Sequence, residues 1–378
     1  MATNLCSEKW IKRKSWPRSP RRARAIRVAD LFSGCGGLSL GTFEAVRRNG
    51  RKFKIVLALD VDETAIGIYR ANFSVGPKVA RTDDISELFA GRIFSRMTSK
   101  EIKLRKTCGR VDLLIAGPPC QGHSDLNNSS RRLDPRNSLY LRVVRAVKIF
   151  RPKAIIIENV PAVIHDRGRV VARATSGLEA LGYRVTADLI EAHEIGLAQT
   201  RRRHILVAVQ DSKFDFGFLE KLKPQKARTV RHYIGDLTGL NGGRIPLFDF
   251  ASEMSKKNRT RALFLYKTKR YDLPNYLRPA CHRDFEHSYV SMYGRLRWNK
   301  PAQTITSGFG SMGQGRFLHP SSCRTLTPHE AARLQGFPDF FRFNTVSART
   351  ALQTTIGNAV PPKLAAIFID RLIECGHL

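Results

Sequence analysis

The sequence predicts an α/β fold in which helices cover both faces of a mostly parallel, doubly wound sheet. Short runs of branched apolar residues alternate with helix-like segments as far as Gln210. Glycine, proline or acidic residues close these runs, as they commonly close buried strands. The chain has 378 residues and 42% hydrophobic content, which allows a large core and a second, smaller region.

The expected elements follow one another as strand, helix, strand and helix. Strands are predicted over residues 26–32, 53–59, 111–116, 154–158, 184–191 and 204–209, and helices over residues 38–48, 63–71 and 137–150. The alternation ends near Gln210, and the chain is then irregular as far as residue 316. Thr327, Pro328 and Glu330 form a capping-box pattern that begins a helix. Pro361 and Pro362 begin a last helix, which we expect to pack on the first domain.

These patterns divide the chain into four parts. Residues 1–25 are basic and contain prolines, which predicts a disordered, solvated tail. Residues 26–210 form the first domain. Residues 211–320 form a smaller, irregular region. Residues 321–378 return to the first domain.

The charge of the chain indicates a polyanionic partner. The 65 Lys and Arg residues outnumber 32 Asp and Glu residues, giving a net charge of +33. This excess favours a nucleic acid but does not separate DNA from RNA. No apolar run approaches the roughly 18 residues of a membrane span. The seven cysteines form no C-x-x-C pair, which argues against a disulfide framework or a zinc site.

A glycine-rich turn follows the first strand and opens the first helix. Its glycines allow backbone to approach a ligand, and the helix amino terminus favours an anionic group. A dinucleotide fingerprint would need glycine where Ser39 stands, so a ligand with one carboxylate is favoured over NAD. Asp60, at the end of the second strand, is placed to bind ribose hydroxyls. A tight turn without a ligand is the alternative.

Pro118-Pro119-Cys120-Gln121 stands at the carboxyl end of the strand at residues 111–116. In open α/β sheets, ligands bind outside such strand ends. A thiol held there on a rigid turn is a candidate nucleophile. A free cysteine is more often a small buried apolar residue, so this motif alone does not decide.

Six sequence blocks occur in order along the chain. They are Asp30-Leu31-Phe32-Ser33-Gly34-Cys35-Gly36-Gly37, Gly117-Pro118-Pro119-Cys120-Gln121, Glu158-Asn159-Val160, Gln199-Thr200-Arg201-Arg202-Arg203, residues 324–339 and Gly357-Asn358-Ala359-Val360-Pro361. Together they resemble the DNA cytosine-5 methyltransferase family of the bacterial restriction-modification type. The resemblance covers residues 28–365. Thr355 is a departure, because the family often has Gln there.

The resemblance implies a Rossmann-like S-adenosylmethionine-dependent methyltransferase fold. Residues 26–210 would be the catalytic and cofactor-binding domain, and residues 211–320 the target-recognition domain. By resemblance, Cys120 adds to C6 of a cytosine flipped out of the duplex, and Glu158 engages ring N3 and the exocyclic amine. Arg203 holds cytosine O2, with Arg201 beside it. The residues expected to contact S-adenosyl-L-methionine are Phe32, Gly34, Gly36, Asp60, Val61, Asp84 and Asn358.

The resemblance also implies partners. We expect a monomer that acts on double-stranded DNA in the bacterial cytoplasm, associated with the nucleoid. A separately encoded restriction endonuclease is an expected partner. Three alternatives stay open: a tRNA cytosine-5 methyltransferase, a DNA-binding scaffold without catalysis, and an NAD oxidoreductase. The basic insert before Arg324 favours duplex DNA over tRNA as the substrate. The intact Cys120, Glu158 and Arg203 favour an enzyme over a scaffold. Ser39 argues against an NAD-binding site.

Overall fold

A seven-stranded sheet lies at the centre of the computed structural model, which describes residues 8–20, 22–119, 139–219, 225–237, 245–284 and 291–378. The strands are β1 (Ala25–Leu31), β2 (Lys52–Asp60), β3 (Ala80–Thr82), β4 (Leu113–Ala116), β5 (Ala154–Asn159), β6 (Arg184–Glu191) and β7 (Arg202–Val209). Their order is β3-β2-β1-β4-β5-β7-β6. Neighbours are parallel from β3 to β5, whereas β7 is antiparallel to both β5 and β6. The predicted mostly parallel sheet is therefore confirmed.

The helices connect and cover these strands. They are α1 (Glu8–Ile11), α2 (Gly37–Arg48), α3 (Glu63–Phe73), α4 (Ile85–Leu88), α5 (Ser99–Cys108), α6 (Leu139–Phe150), α7 (Val170–Ala180), α8 (Val230–Ile234), α9 (Lys256–Lys267), α10 (Ala280–Arg283), α11 (Pro328–Leu334), α12 (Arg349–Asn358) and α13 (Pro362–Glu374). Short 3-10 turns occur at Pro161–His165, Phe216–Phe218, Asn275–Leu277 and Met312–Gln314. No helix in the described part of the chain is long and apolar enough to cross a bilayer.

Both faces of the sheet are buried. Side chains alternate between the faces of a strand. In β5, Ala154 and Ile156 pack in the cluster that contains α2 and α13, whereas Ile155 and Ile157 pack in the cluster that contains α6 and α7. Burial on both faces explains why the strands are almost continuously apolar. The doubly wound arrangement predicted from the sequence is therefore present.

The amino-terminal segment differs from the prediction. Trp10 and Ile11 are 4% and 0% exposed, and the Trp16 ring packs on the rings of Phe43 and Phe340. The prediction of a solvated tail is therefore wrong for residues 8–20. Three large apolar side chains among the basic residues have enough surface to dock the segment on the core.

The region that the sequence predicts to be irregular contains α8, α9 and α10, and it has a small core of its own. This core includes Leu265, Leu273, Met292 and Leu318, separate from the two clusters that flank the sheet. A separate core supports a distinct structural unit here, while the four-part division of the chain remains a prediction.

Candidate active site at the carboxyl edge of the sheet

Those predicted site residues that lie at described strand ends converge at one edge of the sheet. Strands β1, β2, β4 and β5 are parallel, so their carboxyl ends meet at this edge. The antiparallel β7 begins at the same edge, where Asn159 of β5 pairs with His204. The glycine turn after β1, Asp60 at the end of β2, the proline turn after β4, Glu158, and the arginines at the start of β7 therefore become neighbours.

The glycine turn is held in an unusual backbone conformation. Phe32 has φ 56° and Gly34 has φ 50°, both in the left-handed region that non-glycine residues rarely adopt. The Ser33 N–H donates to the Leu59 carbonyl at 2.9 Å, and the Gly34 N–H donates to Asp60 Oδ2 at 2.7 Å. A Cβ added at Gly34 would have no atom within 4 Å, so its backbone faces open space. This opening can admit a ligand next to Asp60.

Gly36 has a different structural reason to be glycine. Its φ is 99°, and a Cβ there would lie 2.5 Å from the Phe73 ring and 2.9 Å from the Tyr69 ring. Because Gly36 has no side chain, the first residues of α2 can pack closely against α3. The structure therefore explains Gly36 by packing and backbone conformation, and its predicted contact with a cofactor remains a prediction.

Asp60 and Asp84 lie at neighbouring strand ends. Asp60 pairs with Thr82, and the Asp83 N–H donates to the Asp60 carbonyl at 3.1 Å. Burial raises the pKa of Asp60, while hydrogen bonds from the Asp62, Gly34 and Val61 backbone oppose this shift. Val61 is 69% exposed beside the opening. Asp84 is exposed and caps α4 by accepting the Ser86 N–H at 2.7 Å.

The last sequence block packs between the glycine turn and the proline turn. A Cβ added at Gly37 would overlap the Val360 carbonyl, and one added at Gly117 would lie 3.6 Å from Val360 Cγ2. Asn358, at the end of α12, is exposed two residues earlier. The structure thus brings this block, distant in sequence, to the same edge.

An ion pair occupies the opposite side of the proline turn. Arg203 Nε lies 2.6 Å from Glu158 Oε1, with the two side chains 13% and 8% exposed. A Cβ added at Gly117 would lie 3.8 Å from Glu158 Oε2. A carboxylate and a guanidinium therefore stand together beside Gly117, three residues before Cys120. Cys120 itself lies outside the described residues.

Arg201 is a second cation beside this pair. It is 3% exposed, and one of its terminal nitrogens donates to the Ile305 carbonyl at 3.3 Å. Burial lowers the pKa of Arg201 well below its usual value, the neighbouring Arg203 lowers it further, and Glu158 opposes both effects. Its Nε has no hydrogen-bond partner among the residues that the structure describes.

Some residues whose hydrogen bonds connect parts of the site were not predicted from the sequence to have a role. Asn159 Nδ2 donates to the Pro118 carbonyl at 3.4 Å and so ties β5 to the proline turn. Gln199 Nε2 donates to Gln335 Oε1 at 3.0 Å, and Gln335 Nε2 donates to the Gly357 carbonyl at 3.3 Å. Both glutamines are 0% exposed. They join three of the six blocks, but only their position within those blocks marks them in the sequence.

A buried carboxyl lies beneath the glycine turn. Asp30 is 0% exposed, and the Ser39 hydroxyl lies 2.6 Å from Asp30 Oδ2 and 2.7 Å from the Tyr69 hydroxyl. Burial raises the pKa of Asp30 to about 8, the Ser39 hydrogen bond opposes the shift, and the Asp60 charge adds to it. The carboxyl is therefore largely protonated at neutral pH.

Comparison with known proteins gives a consistent result. The sequence model of the family described as C-5 cytosine-specific DNA methylase matches residues 26–374. The chain is 42% identical to type II methyltransferase M1.BsuMI of Bacillus subtilis, over 96% of this chain and 83% of that protein. It is 30% identical to type II methyltransferase M1.HphI of Haemophilus parahaemolyticus, over 93% of this chain and 87% of that protein.

Solved structures agree with the fold. A prophage-encoded DNA modification methyltransferase from E. coli is 26% identical with a TM-score of 0.62, covering 92% of this chain and 99% of that one. The S. pombe Dnmt2 methyltransferase is 18% identical with a TM-score of 0.61, covering 94% of this chain and 100% of that one, and shows the fold alone.

Proposed function

The chain belongs to the C-5 cytosine-specific DNA methylase family, and we propose that it methylates its target through a covalent Cys120 intermediate on a flipped cytosine. It is a type II DNA cytosine-5 methyltransferase, and its methyl donor is S-adenosyl-L-methionine. The roles of individual residues, the flipped base and the biological purpose are the parts that we propose.

The observation that carries the proposal is the ion pair between Glu158 and Arg203. It lies at the edge where β4 ends, and Glu158 is next to Gly117 of the turn that leads to Cys120. A carboxyl group and a guanidinium at one strand edge suit a pyrimidine, whose N3, amine and O2 need donors and acceptors of both kinds.

The proposed nucleophile, Cys120, activates cytosine C5 toward methylation. Cytosine C5 is too weak a nucleophile to accept a methyl group directly. Addition of the Cys120 thiolate to C6 breaks the C5–C6 double bond and makes C5 an enamine carbon. Once C5 has taken the methyl group that S-adenosyl-L-methionine would supply, loss of the C5 proton to a base restores the double bond and expels Cys120. Cations such as Arg203, which pairs with Glu158 beside Gly117, and Arg201 would favour the thiolate over the thiol.

Glu158 and Arg203 then act on the ring. Contact between Glu158 and N3 lets a proton move toward the ring as electrons flow from C6, which favours thiolate addition. Arg203 fixes the Glu158 carboxyl and offers further N–H donors to O2, because a guanidinium carries five donors. Arg201 supports Arg203 from a buried position.

The glycine turn fits S-adenosyl-L-methionine, which supplies an electrophilic methyl group when bound. Asp60 Oδ2 accepts the Gly34 N–H at 2.7 Å and Oδ1 accepts the Asp62 N–H at 3.0 Å, and the carboxylate has lone pairs left for a ribose hydroxyl. The Gly34 backbone is open, and the amino terminus of α2 favours a carboxylate. Phe32, Val61 and Asp84 would contact the adenine side, and Gly36 and Asn358 the methionine side.

The DNA must supply an accessible base. C5 and C6 cannot be reached inside a stacked duplex, and flipping a base out costs a few kcal/mol. We assign target reading to residues 211–320, and the separate core around Leu265 and Leu318 supports a distinct unit there. We further propose that the enzyme acts as a monomer and protects DNA from a separately encoded endonuclease.

Expression of the chain in a methylation-free bacterial host tests the proposal. Bisulfite sequencing should show methylation of cytosines in one short duplex sequence, and that sequence should become resistant to a matching endonuclease. Glu158→Gln should lower methylation about 100-fold or more, because a positioned acid typically contributes that much. Glu179→Gln, on the exposed part of α7, is the matched control and should leave the pattern unchanged.

Other outcomes would contradict the proposal. Methyl groups found in tRNA and absent from DNA would support the RNA alternative. Full activity in Glu158→Gln would mean that the Glu158–Arg203 pair is only structural. Absence of methylation despite a folded protein would favour the scaffold alternative.

A further inference from the structure

The edge of the sheet opposite the active site carries a continuous row of cations. The amino ends of β1, β2, β4, β5 and β6 lie at this edge, because these strands run in the same direction. The basic residues that precede or begin these strands, together with two from the last turn of α5, are called the basic edge. Its members are Arg24, Lys52, Arg105, Lys106, Arg110, Arg151, Lys153 and Arg184.

Backbone and side-chain contacts show that this row is contiguous. The Lys52 N–H donates to the Arg24 carbonyl at 3.1 Å, which joins β2 to β1. Asp112 accepts Arg110 Nε at 2.7 Å, and the Lys153 N–H donates to the Asp112 carbonyl at 2.9 Å. Five strand spacings separate β2 from β6, so the row extends about 24 Å.

The cations of the basic edge are largely uncompensated. Arg24, Lys52, Arg105, Lys106 and Lys153 are exposed, and none forms an ion pair with a carboxylate in the described part of the chain.

Three of the carboxylates near the edge already have partners, whereas Glu179, at the end of α7, is exposed. Asp112 pairs with Arg110, Asp211 lies 2.9 Å from His377, and Asp370 pairs with Arg48. The field at this edge is therefore positive, and burial of a phosphate backbone there would release counterions.

A cleft beside α5 adds shape to this surface. It has a volume of about 530 Å³ and is lined by Arg105, Lys106 and Arg110 together with Met97, Ile102 and Phe150. Eight residues of extended chain separate Arg110 from Pro118, so the cleft lies about 25 Å from the proline turn. A duplex in the active site cannot neutralise these charges from that distance, because the Debye length is about 8 Å at physiological salt.

We propose that the basic edge is a second, sequence-independent binding site for the phosphate backbone of duplex DNA. A row of about 24 Å matches about seven base-pair steps of a B-form duplex. The contacts are to phosphates, so they carry no sequence information. A remote DNA segment would be bound at the basic edge while the active site at the carboxyl edge methylates its target.

The test asks whether enzyme already filled with a short cognate duplex captures a second, labelled noncognate duplex. Wild type should form this ternary complex. R105Q/K106Q/R151Q/K153Q should bind the second duplex about tenfold or more weakly, with a salt slope lowered by about 0.9 for each phosphate that is no longer neutralised. Methylation of the short duplex should be unchanged. The charge-preserving control R105K/K106R/R151K/K153R should capture DNA as wild type does.

Three results would overturn the proposal. In the first, R105Q/K106Q/R151Q/K153Q captures the second duplex as strongly as wild type does. In the second, that variant no longer methylates the short duplex. The third is capture of RNA stem-loops in place of duplex DNA. The half variants R105Q/K106Q and R151Q/K153Q give the same readouts if the quadruple variant does not fold.

Discussion

Asp30 shows how a single buried group can support the cofactor turn. Its carboxyl accepts a hydrogen bond from the Ser39 hydroxyl, which also contacts the Tyr69 hydroxyl. These hydrogen bonds join β1, α2 and α3. Its Oδ1 has no hydrogen-bond partner within the described ranges. Burial of a neutral carboxyl costs less free energy than burial of an ionised one, which explains the raised pKa of Asp30.

Asp30→Asn should therefore change how stability depends on pH. The folded pKa of about 8 lies above the usual aspartate pKa of 3.8, so ionisation of the unfolded chain removes stability progressively between these values. Asn does not titrate. Its advantage over Asp should grow from pH 4 to 8, reaching about 4 kcal/mol near neutral pH.

Denaturant unfolding of both proteins at several pH values measures this difference. Glu87→Gln, which changes an exposed carboxylate, is the control for removal of one negative charge. Parallel profiles for wild type and Asp30→Asn would show that Asp30 is ionised in the folded protein.

At the residue scale, the sequence predicts which side chains gather but not what each one touches. Phe32 follows β1, and Asp60 and Glu158 lie at the ends of β2 and β5, where parallel strands bring such positions together. The contact between Gln199 and Gln335 joins residues 136 positions apart, and no local pattern encodes it. Gly36 is recognisable as a turn residue, but its contact with Tyr69 becomes visible only in the packed structure.

At the scale of elements, α2 and α13 form the closest helix pair against the sheet. A Cβ added at Gly41 of α2 would overlap the Pro362 carbonyl and lie 3.0 Å from Ala365 Cβ. Close approach of the two helices therefore requires glycine at this position. The contact places Val360, just before α13, beside the glycine turn.

Gly41→Ala should separate these helices and lower stability by about 1–3 kcal/mol, the usual cost of overpacking. Gly67→Ala is the matched control, because Gly67 lies in α3 and a Cβ there meets nothing within 4 Å. That change should be neutral or should stabilise by about 1 kcal/mol. Thermal unfolding compares the two, and equal effects would contradict the packing argument.

Two of the helices that the sequence does not predict, α5 and α9, share a property. Helices α5 and α9 are rich in Lys and Arg and bury few apolar side chains, so they lack a clear apolar stripe. Helix α6, by contrast, has a strong stripe and is predicted to within two residues over its described part. Tertiary contacts, such as the buried ion pair between Arg145 and Glu101, stabilise α5 in place of a stripe.

At the scale of the whole molecule, the amino-terminal segment links separate parts of the chain. Trp16 packs on Phe43 of α2, Phe73 of α3, and both Phe340 and Phe341 near the end of the sequence. Composition alone predicts a solvated tail, because the basic residues outnumber the few aromatic ones. The pairing of those aromatic side chains with distant rings is a property of the fold.

Trp16→Ala should lower the thermal midpoint by several degrees, corresponding to about 2–3 kcal/mol for a partly buried aromatic side chain. Arg18→Ala, two residues away and exposed, should leave the midpoint unchanged. Differential scanning calorimetry distinguishes the two. A wild-type midpoint for Trp16→Ala would mean that the segment contributes no stability.

The covalent step is the central claim, and covalent trapping tests it most directly. A duplex carrying 5-fluorocytosine at the methylated position should be incubated with the enzyme and S-adenosyl-L-methionine. Fluorine at C5 prevents proton loss, so the account predicts a stable adduct in which peptide mass spectrometry finds Cys120 Sγ bonded to C6. An enzyme that methylates the normal duplex but forms no adduct, or forms one through another residue, would contradict the account.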